Sequence, residues 1–300
     1  VPMAPSWVIS KQRNVIAKLV PDHANKRYDI EIHTGVSAAE MAEAAQGTVR
    51  DGRLVHPMNP ERSGVEIKTI RGDYRDAEGN SCNRLRLWEK SDFVPRPDDI
   101  FQERLYCIQW ITKESLGKGR QETFFAAVTK DDLARERKVE AIVRENLARW
   151  QDEGLVPDMP IEPGDKTDEP IRTRGWTHWH HLFGARDILA LGLIRRLSID
   201  PSVAIAIGKL ADFQSRLVRW DQISLTAINA MYNQALNTNV SWATRSTLIF
   251  SSGRNVEYRH FPLPPVDRAV ETADARNLSQ SSDVFAVSYT HLTLPTIYSV

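Results

Sequence analysis

Apolar and polar residues alternate from Arg27 to His33 (Arg-Tyr-Asp-Ile-Glu-Ile-His), the period of a strand with one buried face. Val65–Ile70 repeats the alternation and predicts a second strand. Leu105–Ile111 is a more continuous apolar run and predicts a central strand. Between the first two lies one helical interruption, Ser37–Ala45, with Ser37 suited to cap its N-terminus. Gly35, Gly47, Gly52, Gly64, Gly72 and Gly79 punctuate the remainder as turns. The chain from Val1 to Thr112 therefore reads as β-rich with loops.

The period changes after Gly117-Lys118-Gly119-Arg120, which reads as a hinge or hairpin loop. A helix is expected from a cap at Asp131 or Asp132 to about Glu153, with Gly154 at its C-terminal end. Val139, Val143, Leu147 and Trp150 form its apolar stripe, and arginine and glutamate crowd the other faces. Leu155–Pro170 carries Pro157, Pro160, Pro163 and Pro170, which predicts an extended connector, because proline holds φ and disfavours helix at the residue before it. Further helices are expected over Ala185–Leu197, from Asp200-Pro201 to about Trp220, and over Thr226–Leu236. Thr247–Phe250 and Val284–Ala286 read as short strands, and no internal repeat is visible.

Composition narrows the function classes. Lysine plus arginine and aspartate plus glutamate each number 39 among 300 residues, so no global field draws in nucleic acid and any such contact needs a local basic patch. No apolar run approaches the roughly 20 residues that a membrane helix needs. The longest, Ile188–Ile194, is stopped by Arg195 and Arg196. The two cysteines, Cys82 and Cys107, are too few for a disulfide framework and fit a reducing, cytoplasmic setting.

The chemistry-bearing segment is Gly175-Trp176-Thr177-His178-Trp179-His180-His181-Leu182-Phe183. Imidazole is the commonest metal ligand, but no carboxylate or cysteine pattern accompanies the three histidines. A second reading makes the segment an aromatic anchor, with Trp176, Trp179 and Phe183 buried. A third is nucleic-acid contact: Arg172, Arg174, Trp176, His178, His180 and Arg186 interleave cations with rings on which bases can stack. His56, in the turn His56-Pro57-Met58-Asn59, is the one metal-ligating side chain there, so no zinc site assembles from it. GxGxxG, P-loop and GxSxG motifs are absent, and no self-sufficient active site lies between Val1 and Phe285.

Three stretches together carry a family resemblance. They are Phe124–Leu133, Leu155–Thr167 (with Pro157-Asp158-Met159-Pro160-Ile161-Glu162-Pro163-Gly164) and Gly175–Phe183 continuing into Arg186. Their arrangement, P-x-x-P-I-x-P-G and then G-W-x-x-W-x-x-L-F-x-x-R, resembles large prokaryotic adenine-specific DNA methylases that carry a zinc-ribbon-like insertion, some associated with phage defence. Gly47–Gly52 resembles the strand leading into that insertion, and Val1–Lys11, with Trp7, the segment before it. The resemblance implies methyl transfer from S-adenosylmethionine to the N6 amine of adenine, in restriction-modification or phage defence, with DNA and other defence-system proteins as partners. It also implies that Asp274, in Ala273–Leu278, lies near the adenine end of the cofactor.

The sequence departs from that family in three places. His56-Pro57-Met58-Asn59 replaces the CxxC knuckle, so zinc is not expected; Asp187 stands where glutamine is usual; and the glycine-rich cofactor motif and the Asp-Pro-Pro-Tyr motif are both missing. Ser288–Val300, with Val287 before it in Val-Ser-Tyr-Thr-His-Leu, resembles a translated sequencing adapter, so the chain is expected to be a fragment that is inactive alone. The expected class is an α+β fragment. It comprises a β-rich, degenerate zinc-ribbon-like insertion over 1–115, a helical region over 116–240, partial Rossmann-like methyltransferase strands over 241–287, and the adapter-derived tail over 288–300. The other classes left open are a non-catalytic nucleic-acid-binding module and an interaction scaffold.

Overall fold

The first strands form because two β-branched, half-apolar runs flank a tight turn. In the computed structural model, which describes residues 1–115, 118, 120–197, 207–208, 210–228, 230 and 235–244, β1 (Val8–Ser10), β2 (Val15–Asp22) and β3 (Arg27–Thr34) make an antiparallel meander. The predicted alternation of β3 is kept across its full pairing with β2, from Val15 opposite Thr34 to Asp22 opposite Arg27. Helix α1 (Ala38–Ala45) follows, capped at Ser37 as the sequence indicates. The Ser37 hydroxyl accepts the Glu40 N–H, and the Glu40 carboxylate accepts the Ser37 N–H.

Short strands β4 (Val49–Arg50), β5 (Arg53–Leu54) and β6 (Val65–Glu66) make a second antiparallel sheet. Here the expected Val65–Ile70 strand is corrected. It ends after Glu66 and becomes helix α2 (Ile67–Arg71), which closes on Gly72 in the left-handed region at φ 68°. The Gly72 and Asp73 N–H groups bond back to Thr69 and Lys68, a local closure that outweighs the alternation. β7 (Tyr74–Arg75) and β8 (Ser81–Cys82) pair as a hairpin. Asn83–Tyr106 then contains neither helix nor strand, so the β-rich reading of this half holds only in part.

β9 (Cys107–Ile111) pairs antiparallel with β10 (Thr123–Ala127) alone, and so is not the central strand expected of its apolar run. Its apolar residues serve a two-stranded ribbon whose Phe125 side packs with Trp7, Val8, Ile16 and Ala44. Residue 115 therefore lies inside the ribbon connection, and one core is shared by chain on both sides of it.

Helix α3 (Lys130–Asp152) presents the predicted stripe: Val143, Leu147 and Trp150 are buried and Val139 packs beside them. Its cap is Thr129 rather than Asp131 or Asp132. The Thr129 hydroxyl accepts the Asp132 N–H at 3.2 Å and the Asp132 carboxylate accepts the Thr129 N–H at 2.9 Å, which places Asp132 in the first turn of the helix. The proline-rich connector ends in α4 (Asp168–Arg174), where Pro170 falls in the first turn and interrupts no helical bond. Helix α5 (Ala185–Leu197) matches its expected span and packs Ala185 and Ile188 against α3.

The helix expected from Asp200-Pro201 is seen at Ile207, Gly208, Leu210 and Ala211 but does not reach Trp220, and the one expected over Thr226–Leu236 is corrected. Asp200 and Pro201 lie outside the described residues, but Arg219–Asp221 is strand β11, paired antiparallel with β12 (Thr226–Ile228), where helix was expected. The turn between them needs Leu225 at φ 53°, and Trp220 is drawn into the sheet by tertiary contacts. Its indole N–H donates to the Ile9 carbonyl at 2.7 Å and its ring meets Phe125 edge-on. The predicted Rossmann-like strands, Thr247–Phe250 and Val284–Ala286, and the 288–300 tail lie outside the described residues. All described strand pairings are antiparallel, so the described part is α+β with small sheets. No described helix is long and apolar enough to cross a membrane.

Leu147→Ala is expected to lower unfolding free energy by about 2–5 kcal/mol, because it opens a cavity between α3 and α5. Leu133→Ala, on the exposed side of the same helix, is expected to stay within about 0.5 kcal/mol of the parent. Urea denaturation of both variants checks the pair.

Candidate nucleic-acid interface

The two halves of the family-like motif are brought into one structure. Pro160 forms an antiparallel bridge with His178, and the Ile161 N–H donates to the Thr177 carbonyl at 2.8 Å. Ile161, Trp176 and Leu182 then share a buried cluster with Trp88, Leu217 and Val218. At Gly175 (φ 75°) a Cβ would lie 2.2 Å from the Arg86 carbonyl oxygen, so the close approach of α4 to the 83–88 segment needs glycine.

The histidines in this segment support the fold. His181 is fully buried, and its Nδ1 accepts the backbone N–H groups of Thr177 at 3.0 Å and His178 at 3.1 Å. That leaves Nε2–H to donate to the Glu89 carbonyl at 3.0 Å. His180, also fully buried, donates from Nε2 to the Asp92 carbonyl at 3.1 Å and faces the Gln151 amide with Nδ1. Burial, then the neighbouring histidine, pushes the basicity of both rings down, His180 to about 4 and His181 to about 2. Both are neutral struts for the 83–106 segment. His178 is half-buried, with Nδ1 2.9 Å from the Thr177 hydroxyl. Among the described residues no three His, Cys, Asp or Glu side chains come together as a metal site would need.

Arg216 lies behind this segment with its side chain wholly buried. Its Nε and Nη2 donate to the two Glu103 oxygens at 2.7 and 3.0 Å. Nη1 donates to the carbonyls of His181 at 2.8 Å and Phe183, and Nη2 also donates to that of Phe93 at 2.9 Å. All five guanidinium hydrogens are thereby used. The Trp88 and Trp176 rings stand 5.5 Å from the guanidinium carbon.

Of the six residues read from the sequence as nucleic-acid contacts, Trp176 (2% exposed) and His180 (0%) are corrected to core positions, where no base can reach their faces. Arg186 is held by Glu136 at the α3–α5 contact. Arg172 is exposed, and Arg174 is half-buried with its guanidinium 5.1 Å from the Phe101 ring centre. Arg174 donates to the Asn239 carbonyl at 2.7 Å. Its pKa is lowered to about 10 by burial, then by the charge of Arg71, while Glu169 and Glu103 act in the opposite sense. It remains a cation at neutral pH.

Two further arginines join these, unanticipated from the sequence. The Arg84 N–H donates to the Arg71 carbonyl, and its side-chain stem packs over Gly72. The neighbouring Asn83 amide donates to the Arg172 carbonyl at 2.7 Å. Arg71, Arg84, Arg172 and Arg174 thus converge from α2, the 83–88 segment and the end of α4. Arg71 is paired with Asp73, but among the described residues Arg84, Arg172 and Arg174 have no carboxylate within salt-bridge distance. Arg84 is exposed while Arg86, two residues on, is held by Asp92 and Asp99 and Leu87 is exposed, so no local alternation in 83–88 marks the face that Arg84 shares with Arg172. The surface suits polyanions. Asp274, the cofactor candidate, lies outside the described residues.

Asp187, in the first turn of α5, is buried with one carboxylate oxygen lacking a hydrogen-bond partner. Burial pushes its pKa up to about 8, with Arg216 opposing. The folded chain therefore holds a proton that the unfolded chain, with a pKa near 3.8, has released, and stability from this group falls as pH rises from about 4 to 8. Asp187→Asn should gain stability over the parent across that window and match it near pH 4, as read from urea midpoints at several pH values. Arg216→Lys is expected to cost about 3–5 kcal/mol in the same assay, because an ammonium cannot supply the five-donor fork and leaves buried acceptors unpaired. No protein-family model, curated protein or solved structure matches the chain.

Proposed function

We propose that the chain is the DNA-contacting part of an adenine-N6 DNA methyltransferase that uses S-adenosylmethionine as methyl donor, working in the cytoplasm in restriction-modification or phage defence, with DNA and other defence-system proteins as partners. The observation that carries the DNA-contacting reading is the cluster of Arg84, Arg172 and Arg174 without carboxylate partners beside Arg71. On a chain with no net charge, such a cluster is the local basic patch that phosphate contact requires. The methyltransferase reading rests on the resemblance. It is supported by the joining of both motif halves through the Pro160–His178 bridge, since their sequence spacing then has one structural cause. The described residues assign no side chain to the cofactor, whose contribution would be the activated methyl group. The part played by this chain's arginines is to hold the duplex backbone while the target adenine leaves the stack, a step costing a few kcal/mol, about the worth of one or two good contacts. The same cluster also serves the reading of a non-catalytic nucleic-acid-binding module. The two separate on whether methyl transfer appears when the missing motifs are restored in a longer chain.

The parent chain is expected to bind duplex DNA with an affinity that falls steeply with salt. Arg84→Ala with Arg172→Ala, both at exposed positions, should weaken binding about tenfold or more and reduce the salt slope by about 2, roughly one per lost phosphate contact. Fluorescence anisotropy at several salt concentrations reads both quantities. Unchanged affinity and slope would remove the basis of the proposal.

A further inference from the structure

Between the C-terminal turn of α3, the connector after it, α5 and the side chains of Ile207 and Ala211 lies a cavity of ≈ 370 Å³ that the DNA-contacting reading does not use. Its size is within the range of about 300–1,000 Å³ common for small-molecule sites. The walls are hydrocarbon: Val156, Met159, Phe183, Ile188 and Leu191. The polar side chains that reach it are mostly engaged elsewhere. His180 and Gln151 face each other, and His180 is bonded to the Asp92 carbonyl. Asp158 is held by Lys90 at 2.8 Å. Arg195 alone is different: it is exposed, lines the cavity and has no ion-pair partner among the described residues.

Gly192 is the second observation. It sits inside α5, where glycine costs helix stability relative to alanine, and it is buried in the cavity wall. Its conformation does not demand glycine, since it is not among the positive-φ residues. A Cβ there would meet Val156 at 3.6 Å, an ordinary contact, so close packing does not demand glycine either. What the missing side chain does provide is room in the cavity.

We propose that this cavity binds a small apolar anion, its hydrocarbon body against Val156, Phe183, Ile188 and Leu191 over Gly192 and its charged group at Arg195. A neutral apolar molecule would leave Arg195 unused, and a cation would be repelled by it. A polar body would lose its hydration against walls whose polar groups are already bonded.

The test uses two fluorescent probes with the same ring system: anilinonaphthalene sulfonate, which is anionic, and phenylnaphthylamine, which is neutral. The parent chain should bind both saturably, the sulfonate more tightly. Gly192→Leu should weaken both by about tenfold or more. Arg195→Gln should weaken the sulfonate by about tenfold and leave the neutral probe unchanged. Near-UV circular dichroism reports whether Gly192→Leu keeps the native packing; if it does not, Arg195→Gln, at an exposed position, decides with the probe pair. Failure of the parent to bind either probe overturns the proposal. So does unchanged binding by a folded Gly192→Leu variant, or an equal effect of Arg195→Gln on both probes. The outcome is independent of DNA binding, so it stands or falls apart from the DNA-contacting reading.

Discussion

A guanidinium taken wholly out of water is costly unless its hydrogens find acceptors, and the arrangement around Arg216 follows from that constraint. Its five hydrogens reach the carbonyls of Phe93, His181 and Phe183 and the two oxygens of Glu103. These acceptors belong to two separate stretches, 93–103 and 181–183. The first lies in a run of more than 20 residues without helix or strand. Such a run has no backbone ladder to fix it, so side chains must. Arg216 is joined in this by His180 and His181, which donate to the Asp92 and Glu89 carbonyls, and by Arg86, which grips Asp92 and Asp99.

That arrangement decides what each residue of the 175–183 segment can do. Trp176 and Trp88 sit against the Arg216 cation, where an indole face is worth about 0.5–2 kcal/mol. A ring used that way cannot also stack on a base. With the aromatic residues drawn inward, Arg172 is left exposed and Arg174 half-buried, and the 83–88 segment brings Arg84 alongside. One packing event therefore removes two of the six expected contact residues from the surface and supplies two arginines from elsewhere.

The buried polar groups here have opposite electrostatic demands. His180 and His181 are kept neutral by the same desolvation that raises the pKa of Asp187. Charge is kept where a partner meets it, on Arg216 with Glu103 and on Arg86 with Asp92 and Asp99, while His180, His181 and Asp187, which no opposite charge pairs at salt-bridge distance, are neutral. This suits a region whose α3–α5 wall is otherwise hydrocarbon, including the cavity under Gly192.

The sequence by itself determined the elements whose information is local. The alternation of Arg27–His33, the N-cap at Ser37, the Val139–Trp150 stripe and Gly154 each encode their structure within a few residues, and each is seen. The burial of Trp176, Trp179 and Phe183 as an anchor was also legible as one of three readings, and it holds for Trp176, with the other two partly buried. Tertiary structure decided the rest. Val65–Ile70 turned into a helix because Gly72 closes it. Trp220 left its expected helix because Ile9 and Phe125 hold it in a strand. Arg216, inside a stretch read as helix, became the most buried cation among the described residues because its acceptors lie more than 30 and more than 100 residues away along the chain. The arginine cluster has the same origin. Its members come from positions 71, 84, 172 and 174, and a spacing rule that looks a few residues in either direction cannot see charges that become neighbours only when separate segments pack.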